Sequence, residues 1–159
     1  MLTTQRCAMA PLQEADKLQI QRLYLDTQVR RYLGGAISIS LYEDKFAAML
    51  ADTTGHYLVI REQKTSHVVG LISLTSTDQD PTVGELSYLL MPSYWRQGYA
   101  FESLSAVVQS SYITNYRQLV AETQVLNQAS NQLLMRLGFH LEKQITRFSA
   151  IQNYYYLNV

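Results

Sequence analysis

The stretch "LMPSYWRQGYAFESL", residues 90–104, decides the reading of this chain. It closes an apolar run and turns through a proline, two aromatics and Arg96. It then passes a lone Gly98 into a segment of helical spacing, with Phe101, Leu104 and Val108 at i, i+3 and i+7 and Val107 beside them. A strand that turns this tightly into a helix aims several unpaired backbone N–H groups at one point, here those of Arg96, Gln97, Gly98, Tyr99, Ala100 and Phe101. The macrodipole adds its positive end and successive amides form a nest, so the point favours an anion such as a phosphate. Glycine at 98 lets a ligand approach the main chain and Ala100 keeps the next contact shallow. The plainer reading of the same residues is a connector with a solvated arginine.

Upstream, "HYLVIRE", "HVVGLISLTS" and "VGELSYLLM" have strand length and composition, and their order predicts an antiparallel meander. Downstream, "RQLVAETQV" (117–125) reads as a buried strand. The helix between makes a crossover, which predicts that strands 83–91 and 117–125 run parallel. In "NQASNQLLMRLGF" Asn127 is a helix cap, Ala129, Leu133 and Leu137 form a stripe, and Gly138 stands where a left-handed C-cap belongs. Two earlier helices are expected over 12–26, with Leu12, Ala15, Leu18 and Leu23 as its stripe, and over 42–52, around Phe46, Met49 and Leu50. Two strands close the chain.

The 159 residues fit one α+β domain, 1–159, with 47% hydrophobic and 16% charged residues and no low-complexity linker. Thirteen basic and thirteen acidic residues leave no basic footprint for nucleic acid. No run approaches the roughly 20 apolar residues of a membrane span and the N-terminus has no signal-peptide core, so a cytoplasmic protein is expected. Cys7 is alone and reads as an incidental thiol, and three scattered histidines give no metal spacing.

Taken together, these residues resemble the GNAT superfamily of N-acetyltransferases, most closely its branch of ribosomal-protein alanine and serine N-acetyltransferases. The superfamily signature is (Gln/Arg)-x-x-Gly-x-(Gly/Ala) at a helix start. Gly98 and Ala100 match its last two fixed positions, while Trp95 departs from the first in a way similar to the "YW-x-x-GYA" form of the branch. Glu85 and Tyr88 match the branch's Glu-x-x-Tyr strand, Pro92 follows Leu90 as expected, and Asn127, Ser130 and the "LGF" at 137–139 complete the pattern.

The resemblance implies an α/β sandwich: a mixed, mostly antiparallel sheet with helices on both faces and one splayed parallel pair. It implies acetyl-CoA as co-substrate, no metal, and an amine acceptor, for which a protein N-terminus and a small molecule both fit. By the same resemblance the loop amides hold the pyrophosphate, backbone groups of Leu89, Leu90 and Met91 hold the pantetheine arm, and Asn127 touches the cofactor. Glu85 is implied as general base and Ser130 as partner of the thiolate, because the tyrosine many relatives use falls on Leu134 here. Arg30, Arg31 and Tyr32, in "VRRYLGG", lie where relatives bind the acceptor. Leu134 also motivates the alternative of a catalytically inactive acyl-CoA-binding module. A nucleotide-binding α/β domain is disfavoured by the lone glycine, and no feature assigns an oligomeric state.

Overall fold

The computed structural model describes residues 1–159 as an eight-stranded sheet with four α-helices. In chain order these are β1 (Leu2–Thr3), β2 (Cys7–Pro11), α1 (Lys17–Leu25), α2 (Ile39–Ala51), β3 (His56–Glu62), β4 (Val68–Ser76) and β5 (Val83–Leu90). There follow α3 (Tyr99–Val108), β6 (Gln118–Gln124), α4 (Gln128–Arg136), β7 (His140–Arg147) and β8 (Ala150–Asn158). The sheet order is β1-β2-β3-β4-β5-β6-β8-β7. Every neighbouring pair is antiparallel except β5–β6. The meander, the crossover and its parallel pair therefore stand as the sequence implies.

Strand alternation divides the core between two faces. Val59, Val68 and Leu71 pack with Ile20 and Leu23 of α1 and with Tyr42, Phe46 and Met49 of α2. On the other face Leu58, Ile60, Ile72 and Leu86 pack with Leu104 and Val107 of α3 and Leu134 of α4. Burying each such side chain contributes about 1.5–3 kcal/mol, so both helix layers are held mainly by their apolar stripes.

Two expectations about the helices are corrected. The first helix begins only at Lys17, after a 3₁₀ turn at Glu14–Asp16 in which the Gln13 amide donates to Asp16 Oδ2 at 2.9 Å. That late start shifts the helix phase: Leu18 is 73% exposed, and Ile20, Leu23 and Tyr24 carry the buried face. In α4 the buried positions are Asn131 and Leu134, while Ala129 is exposed and Leu133 and Leu137 are half-buried. The N-terminal strands β1 and β2 were not expected, although Cys7 and Met9, alternate residues and both fully buried, gave the period-two signal.

The feature that creates a site is where β5 and β6 part. They pair only at Val83–Gln118, Gly84–Leu119 and Glu85–Val120. Beyond Glu85, β5 continues to Leu90 bonded to β4 alone, and β6 continues to Gln124 bonded to β8 alone. The result is a V-shaped split in the sheet, with two facing edges whose main-chain groups have no strand partner.

Candidate active site

The turn after β5 stands at the mouth of this split. Pro92–Tyr94 forms a 3₁₀ turn, and Trp95 Nε1 donates to the Leu90 carbonyl at 2.9 Å, tying the loop to the end of β5. Arg96 and Gly98 both have left-handed backbones, with φ of 57° and 85°. Such residues redirect successive amides toward one side of the loop. The first helical bond is Glu102 N–H to Gly98 O at 3.0 Å, and the amides from Arg96 to Phe101 have no acceptor within the chain. These six unpaired donors stand where the sequence predicts an anion cradle. Arg6 fixes it from outside, donating to Gln97 O at 2.9 Å and pairing through Nε with Glu102 Oε2 at 2.7 Å. A Cβ on Gly98 would lie 3.2 Å from Arg6 Nη2 in addition to its strained φ.

From this turn a cleft of about 1210 Å³ runs along the split, walled by β5, β6, the start of α4 and the segment after α1. Leu89, Leu90, Arg96, Gly98, Ala100 and Phe101 line it, as do Asn127, Ser130, Arg30, Arg31 and Tyr32. Glu85, Met91, Gln97 and Tyr99 do not. Tyr99 turns its ring into the core and donates from its hydroxyl to Glu62 at 2.6 Å, and Gln97 folds its side chain back onto Ser93 O at 2.7 Å. Only their amides belong to the cradle. Met91 is a correction: its N–H is given to Val69 O on β4 at 2.8 Å, away from the split. Main-chain direction alternates along an antiparallel strand, so Leu89 also faces β4, and Tyr88 and Leu90 present their backbone groups to the gap.

At the far end of the cleft Asn127 caps α4, its Oδ1 accepting from Ser130 N at 3.2 Å. Gly138, at φ 94°, ends the helix in a Schellman motif, with Gly138 N–H on Met135 O and Phe139 N–H on Leu134 O, each at 3.0 Å. Between them the buried Asn131 holds the helix to the sheet: its amide donates to Gln124 O and Asn127 O, and its oxygen accepts from Asn153 and Tyr155. This framework brings the Ser130 hydroxyl to 2.6 Å from the Tyr88 hydroxyl. Burial pushes the Tyr88 phenol up to about 12, with the Ser130 hydrogen bond pulling the other way, so the phenol stays protonated at neutral pH. Tyr88 was legible only as a motif position; its contact with Ser130 across the split is visible only in the structure. Leu134 is fully packed in the core, and the Tyr88–Ser130 pair is joined in the lining by the hydroxyls of Ser87 and Thr123.

Glu85 lies at the root of the split, open to solvent, on the same face as Ser87. Partial burial, and then the neighbouring Glu122 charge, raise its carboxyl above the usual range, an effect that solvent access moderates. Glu122 itself lines the cleft and is paired with Arg147 at 3.0 Å. In the segment after α1, Arg30 is a structural clamp, donating to Gly35 O at 2.6 Å and Leu33 O at 2.8 Å. Arg31 lies over the Tyr32 ring with its guanidinium free of hydrogen-bond partners, and Lys45 of α2 lines the same wall.

A sheet split at its one parallel pair, with a nest of free amides at the mouth of the split, defines an N-acetyltransferase fold and site. The chain belongs to the acetyltransferase (GNAT) domain family, whose match spans residues 6–140. It is similar to the uncharacterized N-acetyltransferase YoaA of Bacillus subtilis (strain 168), at 26% identity over 154 residues, covering 93% of this chain and 87% of that one. Among solved structures it resembles a spermidine N-acetyltransferase from Vibrio cholerae in complex with CoA and spermine (TM-score 0.84, 17% identity, 98% and 96% of the two chains). It also resembles a Salmonella typhimurium acetyl transferase that modifies the N-terminal serine of a 50S ribosomal subunit protein (TM-score 0.79, 19% identity, 98% and 96%). The protein is thus an N-acetyltransferase. No group of three or more His, Cys, Asp or Glu side chains gathers as a metal site, and no helix is long and apolar enough to cross a membrane.

Proposed function

We propose that this N-acetyltransferase uses acetyl-CoA and transfers the acetyl group to a primary amine by direct attack on the thioester. The observation that carries the reading is the set of partnerless amides from Arg96 to Phe101 beside the split, which suits a pyrophosphate. The free edge of β5 supports the rest: the backbone of Tyr88 and Leu90 offers strand-like bonds to an extended pantetheine arm, with Asn127 across the gap. When bound, acetyl-CoA supplies an activated acyl carbon and a thiol leaving group.

In the reaction a nitrogen–carbon bond forms, the carbon–sulfur bond breaks, one amine proton leaves and the thiolate gains one. A neutral amine is needed for attack, and a free α-amine, with pKa near 7.7, is about 15% neutral at pH 7. Glu85 takes the amine proton through water, since it is not itself a lining residue of the cleft, and its raised proton affinity suits a base. A specific observation favours Glu122 as the second reading for this role: it lines the cleft. Ser130 donates to the departing sulfur and is re-supplied by the Tyr88 hydroxyl. The acceptor enters between Arg31, Tyr32 and the β5 edge. The relationship to the branch acting on ribosomal-protein N-termini, and a cytoplasmic setting, belong to the same proposal.

The test is to supply acetyl-CoA and a panel of amines, measuring free thiol and acetylated product together. Release of both with at least one amine supports the reading. Acetyl-CoA binding without turnover on any amine would instead support the inactive acyl-CoA-binding module that Leu134 suggests.

A further inference from the structure

The chain as a whole is neutral, with thirteen basic and thirteen acidic residues, but its cleft is not. Among the lining side chains are five cations, Arg30, Arg31, Lys45, Arg96 and Arg136, and one carboxylate, Glu122. That carboxylate is already neutralised by Arg147. Arg96 belongs to the anion cradle, Arg136 is stacked at 3.8 Å on the Phe101 ring, and Arg30 is used up on Gly35 and Leu33 carbonyls. Arg31 and Lys45 remain: neither side chain has an ion pair or hydrogen bond, and both line the wall formed by the segment after α1 and by α2.

Two acidic groups near this wall are engaged by neighbours, and Asp44 of α2, exposed and unpaired, does not line the cleft. Asp26 accepts the amides of Gln28 and Val29 at 2.7 and 2.9 Å, and Glu43 is paired with Lys17 at 3.5 Å. Within the lining a polycation would meet two free positive charges and no free carboxylate, with Glu85 beyond it at the root of the split. An acceptor whose amine points to that root while its own carboxylates trail behind meets the opposite arrangement.

We infer that the acceptor is an acidic amine, meaning a primary amine on a molecule carrying carboxylates near it, and not a polyamine. This rests on the proposed acetyl transfer and assigns its substrate class. The N-terminus of an acidic peptide and a free amino-dicarboxylic acid share the required chemistry. A part-exposed charge pair changes binding by up to about fivefold, so two pairs give an advantage on the order of tenfold.

The experiment compares kcat/KM for a glutamate-rich tripeptide, its glutamine counterpart, free glutamate and spermidine, with wild type and an Arg31→Ala/Lys45→Ala double variant. In the wild type the glutamate peptide is expected to exceed its glutamine counterpart about tenfold, with the margin shrinking as salt is raised, and spermidine to fall below both. The double variant should raise KM for the acidic peptide about tenfold more than it raises that of the glutamine peptide, and the KM of acetyl-CoA should stay within about twofold. The peptide against free glutamate tells which source of the carboxylates the cleft accepts. A preference for spermidine, or an acidic-peptide KM untouched in the double variant, overturns the assignment while acetyl transfer itself stands. If no amine is acetylated, the underlying activity fails as well, and that outcome is distinct because turnover is lost with every acceptor.

Discussion

Removing the Tyr88 hydroxyl as Tyr88→Phe leaves the ring in place and cuts the 2.6 Å bond to Ser130. If the two hydroxyls act as one donor to the thiolate, the loss has two parts. A hydrogen bond of ordinary net strength, about 0.5–1.5 kcal/mol, stops orienting Ser130, worth roughly 2- to 12-fold. Loss of proton supply adds to this, although a thiol leaves readily, its pKa near 8.5 being close to the working pH, so the general-acid share stays near the low end of about 10²-fold. Tyr88→Phe and Ser130→Ala are each expected to lower kcat by roughly 10²- to 10³-fold and to leave acetyl-CoA affinity within a few-fold, since the donor acts in the transition state. The double variant should be no slower than the worse single one, because members of one relay fail together. Steady-state thiol release with an acidic peptide, alongside calorimetric titration of acetyl-CoA, reads both quantities. Losses that multiply in the double variant would mean independent roles, and an unchanged kcat in Ser130→Ala would return Ser130 to being a first-turn helix residue.

Glu85→Gln should lower the rate at neutral pH by roughly 10²-fold, with recovery at higher pH levelling near about 8 for an α-amine acceptor; the same substitution at Glu122 separates the two candidate bases. Because the folded protein raises the Glu85 carboxyl, chiefly by burial, stability is greatest where the group is protonated and falls as pH rises through its folded pKa. Glu85→Gln should therefore hold or raise the Tm at pH 7 while slowing catalysis, and a lower Tm would contradict that sign. Asn131→Ala strands Asn153 and Tyr155 as buried donors and is expected to cost about 3 kcal/mol or more, a fall in Tm of about 10 °C by calorimetry.

The sheet and the backbone of the turn after β5 were legible in the sequence because their signals are local. Gly98, the Asn127 cap and Gly138 each meet a backbone requirement set within a few residues, and the structure has all three in the conformations they imply. The phase of α1 was not legible, since it depends on the Gln13–Asp16 turn and on Asp16 being tied to Arg61 across 45 residues. The direction of main-chain groups was equally hidden: whether Met91 or Leu90 faces the split follows from register with β4, which no single strand reveals. Tyr88 meets Ser130 only because the crossover brings β5 and α4 together, and Lys45 joins Arg31 only because α2 packs beside the segment after α1.

The proposed acetyl transfer depends most on the amide cradle, and calorimetric titration of acetyl-CoA into wild type and Gly98→Val, with folding verified by circular dichroism, tests it directly. Valine at φ 85° is strained, and its Cβ crowds Arg6, which braces the loop. The expected result is saturable binding by the wild type and a loss of at least about 10²-fold in the variant, corresponding to two or more lost charge-assisted hydrogen bonds. A folded Gly98→Val protein that binds acetyl-CoA as tightly as wild type would contradict the placement of the pyrophosphate on this turn.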